Sequence, residues 1–163
     1  MKHVNETPNF QVRLAGIAEA PFIASILAQA FIEYEALYTP EAFAVTTPTP
    51  EQIRKRWNEG PVWVATQLDR LVGTVAAVSK GEALYIRSMA LLPFACGQGI
   101  GRGLLQEVER FATAHGFRRM ILSTTPFLTR AIRLYEQFGF HRSSDGPHEL
   151  FGTPLFTMEK PCR

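Results

Sequence analysis

Residues 96–103 read CGQGIGRG, and the chain runs straight on into LLQEVERFATAHG (104–116). Four glycines in eight residues make a poor helix start, because a glycine inside a helix costs roughly 1 kcal/mol relative to alanine. Yet Ile100, Leu104, Leu105, Val108, Phe111 and Ala112 recur at helical spacing. Gly116 stands where a helix C-cap belongs, with His115 well placed in the last turn. What such a start offers is bare backbone. The first N–H groups of a helix are unpaired and carry about half a unit of positive charge. Glycines at 97, 99, 101 and 103 put no side chain in the way of an anion seated on them. The stretch reads as a phosphate site where a strand hands over to a helix. The plainer alternative is a turn whose glycines let helix and sheet pack closely.

Two nucleotide-binding signatures fail on the letters. A GxGxxG fingerprint needs glycine at 102 or 104, which are Arg102 and Leu104, and no GK[ST] triplet exists anywhere in the chain.

Outward from the glycines the pattern alternates between periods. Upstream, VWVATQ (62–67), LVGTVAAVS (71–79) and ALYIRSMALL (83–92) read as three strands joined by tight turns, ended by Pro93. Before them, FQVRLA (10–15) alternates like a half-buried strand. A helix is expected over 21–38, opened by Pro21, with Phe22, Ile26 and Ala30 on its apolar stripe, joined by Ile23 and Leu27. The prolines and threonines of 39–50 predict an irregular connection, and 50–60 a short helix with Thr49 as N-cap and Gly60 as stop. Downstream come a strand over 118–124 and a helix carrying Ala131, Leu134, Tyr135 and Phe138 on one face, halted by Gly139. Two final strands are expected over 140–144 and 154–160. The order βααβββαβαββ, without repeats or linkers, predicts one α/β domain over 10–161 after a disordered lead-in over 1–9.

Composition agrees. The 163 residues suffice for one core, and 46% hydrophobic with 20% charged residues is ordinary for a globular protein. A net charge of +2 with scattered basic residues argues against nucleic acid as a partner. No apolar run is read as spanning a bilayer and no leader is read at the start, which predicts a cytoplasmic protein with no membrane partner. Cys96 and Cys162 form no metal pattern and are expected as free thiols; no metal is expected.

Two motifs then carry a resemblance. Leu91-Leu92-Pro93 followed by Cys96-Gly97-Gln98-Gly99-Ile100-Gly101 resembles motif A of the GNAT (GCN5-related N-acetyltransferase) family, a strand ending V-x-P and then R/Q-x-x-G-x-G/A. The run from Leu128 to Phe140, LTRAIRLYEQFGF, resembles that family's N-x-x-A-x-x-L-Y-E-x-x-G-F. Their order, with a strand between them, matches the family, and the likeness extends over nearly the whole chain. Cys96 and Leu128 depart from the usual Arg or Gln and the usual Asn.

The resemblance implies a GNAT-like domain: a mostly antiparallel mixed sheet of six to seven strands flanked by about four helices. It implies transfer of an acetyl group from acetyl-CoA to a primary amine of a small molecule or peptide. The alternative, prompted by Cys96 and Leu128, is a non-catalytic acyl-CoA-binding regulatory domain. The cofactor's diphosphate would rest on the backbone from Gly97 to Gly103, a span that includes Gln98, Gly99, Ile100, Gly101 and Arg102, with Cys96 and Leu128 beside it. Its pantetheine arm would pair with Met89, Ala90 and Leu91, and the Leu91 N–H would meet the thioester carbonyl. Arg102, Arg130 and Arg133 could reach phosphates. Tyr135 would hydrogen-bond the departing sulfur. Candidates to take the amine's proton are Glu33, the first choice, with Glu35, Glu82 and His141. The acceptor pocket is expected in the 31–49 region, with Tyr34, Tyr38 and Phe43 beside Glu33, Glu35 and Glu41. Arg87 and Ser88 alternate along their strand, so one of the two is expected to face the acceptor. The exposed edge of the final strands would serve a homodimer.

Overall fold

Threonine followed by proline opens a helix twice in this chain. At 49–50 the Thr49 hydroxyl accepts from the Gln52 N–H, and Pro50 needs no partner in the first turn. The pair at 39–40 carries the same signal, and Thr39 accepts from the Ala42 N–H at 3.3 Å. The expected irregular connection is therefore a helix over Pro40–Thr46.

In the computed structural model, which describes residues 9–162, the order is β1 (Gln11–Leu14), α1 (Ala20–Phe31), α2 (Pro40–Thr46), α3 (Pro50–Lys55), β2 (Val62–Gln67), β3 (Arg70–Lys80) and β4 (Ala83–Leu91). It continues with α4 (Ile100–Ala114), β5 (Arg119–Thr124), α5 (Thr129–Phe138), β6 (His141–Arg142), β7 (His148–Leu150) and β8 (Thr153–Pro161). All of the expected lead-in except Asn9 lies outside the described residues. One sheet runs β1-β2-β3-β4-β5-β8-β6, with β7 paired to β8. Every pairing is antiparallel except β4 with β5. Eight strands replace the expected six to seven because a hairpin forms within GPHELFGT, where Leu150 pairs with Thr153.

The expected helix over 21–38 stays α-helical only to Phe31 and tightens to a 3-10 turn over Ile32–Leu37. Its inward face is Ile23, Ile26 and Leu27 with Ala20 and Ala24, while Phe22, expected inward, is 61% exposed. The stretch Ile17–Leu37 is long and apolar enough to cross a membrane by length and composition, contrary to expectation. Here it is broken into three segments, and one side of its middle segment packs on β3 and β4.

Helices cover both faces of the sheet. A Cβ placed on Gly73 would meet Leu104 of α4, whereas the neighbouring Thr74 lines a small pocket with Ile23 and Leu27 of α1. The α4 face is fully buried at Ile100, Leu104, Leu105, Val108 and Ala112. After α3, a 3-10 turn over Trp57–Glu59 ends at Gly60. A Cβ there would lie 2.0 Å from the Ala77 carbonyl oxygen, so glycine lets this segment sit flush on β3.

Two irregularities open the sheet. β4 pairs with β5 only through residues 83–86, opposite 119–122. Past that point β4 carries a bulge: Ala76 pairs with Arg87 and Thr74 with Ala90, so Ser88 and Met89 together oppose Val75. Ser88 takes φ +53°, the left-handed region. The two parallel strands part, and a cleft opens between them.

Candidate active site

The cleft measures about 780 Å³. Met89, Ala90 and Leu91 form one wall and the end of β5, with Thr124 and Thr125, the other. The start of α4 closes one end, and the 3-10 turn after α1 closes the other. Thr124 and Thr125 each bury a hydroxyl oxygen without a hydrogen-bond partner among the described residues. Orphaned polar atoms in a cleft wall suit a polar ligand.

At the α4 end the glycines divide into two jobs. Gly97 and Gly99 take φ +80° and +82°, with open space where a side chain would begin. Gly101 and Gly103 serve close packing, since a Cβ would come within 2.7 Å of Leu134 in the first case and of Phe10 in the second. The close-packing reading of CGQGIGRG therefore holds for Gly101 and Gly103, while Gly97 and Gly99 leave open space beside the helix start. The Gly103 N–H is taken by the Gly99 carbonyl at 3.0 Å. That leaves the N–H groups of Ile100, Gly101 and Arg102 ahead of the first helical bond. Gly103 lies outside the cleft, and the Ile100 side chain is fully buried in the core. Gln98 turns to Gln67 and to the Phe94 carbonyl, at 2.8 and 3.0 Å, and is not part of the cleft wall either. Cys96 and Leu128 do line the cleft, as do Arg102, Arg130 and Arg133. The Cys96 sulfur beside Arg130 holds that guanidinium above its ordinary value. Both cysteines are free.

Midway along the cleft, the Leu92 N–H donates to the Val72 carbonyl on β3 at 2.8 Å. Successive strand N–H groups point to opposite edges, so the Leu91 N–H faces the open edge. Tyr135 on α5 lines the cleft at 8% exposure, packed edge-on to Phe140 with ring centroids 6.0 Å apart. Burial pushes its phenol well above the usual tyrosine value.

The other end is made of side chains. The 3-10 turn brings Glu33 and Tyr34 to the cleft. Burial and then the neighbouring Glu33 carboxylate push the Tyr34 phenol up. Phe127, a residue the sequence did not flag, packs against both tyrosines, 4.9 Å from Tyr38 and 6.1 Å from Tyr34 between ring centroids. Phe43 backs Tyr38 at 6.1 Å. Glu35 and Glu41 are exposed and stand outside the cleft. Glu82 sits at the far end of β4 near Arg118, and His141 faces Glu159 on β8, so neither reaches the site.

The expected choice between Arg87 and Ser88 does not arise. The bulge breaks the strand's alternation, and both line the cleft. Arg87 pairs with Glu59 at 2.6 Å. Arg56, unremarked in the sequence, donates to the Ser88 hydroxyl at 3.1 Å. Five arginines and one carboxylate, Glu33, line the cleft, the opposite of the acid-rich pocket expected from 31–49.

Solved structures that match this architecture include acetyltransferases. The PaiA N-acetyltransferase of Thermoplasma acidophilum, solved in complex with coenzyme A, superposes with a TM-score of 0.77 over 93% of this chain and 98% of that one, at 18% identity. That likeness establishes the fold. In sequence, the profile of the Acetyltransferase (GNAT) family matches residues 28–140. The chain is an acyltransferase, and it belongs to the GNAT family of acetyltransferases. Among related proteins, the uncharacterized N-acetyltransferase YjgM of Escherichia coli K12 is 28% identical over 135 residues, 79% of this chain and 80% of that protein. N-acetylaspartate synthetase of Danio rerio is 34% identical over 82 residues, 49% of this chain and 29% of the synthetase, so the match spans under a third of that protein.

Proposed function

We propose that the protein transfers an acetyl group from acetyl-CoA to a primary amine, which attacks the thioester directly. One observation carries this reading: the parting of β4 from β5 leads along an open strand edge to three free N–H groups at the start of α4. An extended, amide-rich arm can add to such an edge as a strand would. A diphosphate suits the helix start beyond it. The cleft volume and the orphaned threonine hydroxyls fit such a ligand.

Bound there, acetyl-CoA would supply the activated acetyl group, and the chain's residues would do the rest. Met89, Ala90 and Leu91 would hold the arm, and the N–H groups of Ile100, Gly101 and Arg102 the diphosphate. Gly97 and Gly99 keep the approach clear, with Cys96, Leu128 and Arg130 alongside. The Leu91 N–H would stabilise negative charge developing on the carbonyl oxygen. An amine of pKa about 10.4 is neutral in only about one molecule in a thousand at pH 7. Glu33 would therefore take the proton, directly or through water. Tyr135 stays protonated because it is buried. Proton transfer from so weak an acid to a thiolate, with a pKa near 8.5, is uphill. Its role is to donate a hydrogen bond to the departing sulfur.

Calorimetry with coenzyme A and thiol release with a broad amine panel test this reading. Folded protein that gives no heat with coenzyme A overturns it. The Tyr135→Phe variant should lose roughly 10- to 100-fold in kcat, the value of a hydrogen bond to a charged group, with coenzyme A affinity within about twofold. Unchanged turnover would remove Tyr135 from the mechanism.

A further inference from the structure

The structure assigns a second half to the acceptor: beside its amine it carries a carboxylate, seated on Arg56, Arg87 and Ser88. This inference rests on the acetyl-transfer reading for the reaction, but the seat itself is argued from the chain alone. β4 runs from Arg87 through Leu91 toward α4, so these residues lie on the side of Leu91 away from the helix start. They line the cleft and also a separate small pocket between α1, α3 and β3. The arginines nearest the helix start are others, Arg102, Arg130 and Arg133.

Charge at this seat does not balance. Arg87 is matched by Glu59, but Arg56 meets only the neutral Ser88 hydroxyl, with no carboxylate within 4.0 Å among the described residues. Two guanidiniums share one carboxylate, which leaves a single positive charge. Burial and the nearby Arg87 both hold Arg56 below its ordinary value. The Arg87 Nε is itself buried and has no partner among the described residues. Partly desolvated like charges with an orphaned donor cost stability unless an anion meets them. A carboxylate brings one negative charge, which matches the surplus, and its two oxygens fit the guanidinium fork. A phosphate dianion would overshoot. As the residue that caps the end of α3, Arg56 could as well have faced water; instead its head turns in to the bulge.

The test uses matched acceptors: L-amino acids, each beside the amine left when its carboxylate is removed. Wild-type protein is expected to favour the carboxylate-bearing member at least tenfold in kcat/KM. Arg56→Gln should raise KM for carboxylate acceptors at least tenfold more than for their partners, with Arg56→Lys recovering part of the difference. Equal kcat/KM within each pair, or an Arg56→Gln loss shared alike by both members, overturns the inference. Binding is read separately by titrating N-acetyl amino acids and the matching N-alkylacetamides into protein with and without coenzyme A, followed by calorimetry and by the fluorescence of Trp57, which lines the same small pocket. Selective carboxylate binding that Arg56→Gln abolishes supports the seat even where no amine turns over, a failure that would fall on the acetyl-transfer reading. Folded wild-type protein that shows no such preference in binding overturns the seat, whatever coenzyme A does.

Discussion

At the α4 end of the cleft the groups that would meet a ligand are backbone amides; at the other end they are side chains drawn from the turn after α1, from α3 and from the bulge in β4. The first end is set by local chain geometry: positive φ at Gly97 and Gly99, then a helix start. On the proposed reading, side-chain identity would matter little there, and Cys96 could stand where the family motif carries Arg or Gln. The second end exists only once distant segments have packed, and its chemistry can change one side chain at a time.

That contrast is breakable, most forcefully at Arg102. Arg102→Pro removes one free N–H in the first turn, where proline is tolerated, and should raise the dissociation constant for coenzyme A about tenfold or more. Arg102→Ala keeps the N–H and loses only the guanidinium, so its effect in the same titration should stay below about threefold. Equal losses would mean that side chains, not backbone, hold the anion. A smaller effect is expected from Gly99→Ala, which forces a Cβ into the left-handed region at about 1–2 kcal/mol. Thermal unfolding should then fall by roughly 2–8 °C. An unchanged midpoint would mean that the turn relaxes and that the geometry there is not fixed.

The smallest effect should come from Glu19, ahead of α1, which accepts two hydrogen bonds from Arg13. The Arg13 guanidinium, aided by the Gly16 N–H, holds the Glu19 carboxyl at about 2. A depressed carboxyl stabilises the fold above its unfolded value near 4.3, and the gain disappears as pH falls toward 2. Arg13 is half-exposed, so about 1 kcal/mol is reasonable at neutral pH. Glu19→Gln should lower the melting midpoint by about 2–4 °C at pH 7, with the gap to wild type closing in acid. Coenzyme A affinity should not respond; if it does, the placement of α1 reaches the amide end as well.

The same division explains what the sequence disclosed. Strands β2, β3 and β4 and helices α4 and α5 were readable because buried faces impose period two or period 3.6 on the letters. The glycine run and LYEQFGF marked the amide end and Tyr135. The α2 helix was masked by its prolines, although Thr39-Pro40 repeats the signal of Thr49-Pro50. Nothing in the letters marks a serine for positive φ, so the bulge at Ser88, and with it the joint exposure of Arg87 and Ser88 to the cleft, stayed hidden. Phe127 and Arg56 act through neighbours far along the chain, Tyr38 and Ser88, which no local pattern announces.

Gly60 bears on how such a protein can acquire new substrates. With no room for a carbon beside the Ala77 carbonyl oxygen, position 60 works as a mechanical stop: the letters before it can be exchanged while their standoff from the sheet stays constant. With the proposed carboxylate seat, evolutionary drift at positions 56 and 87 would then retune selectivity on a stationary platform, whereas loss of the stop would shift the platform along with every exchange.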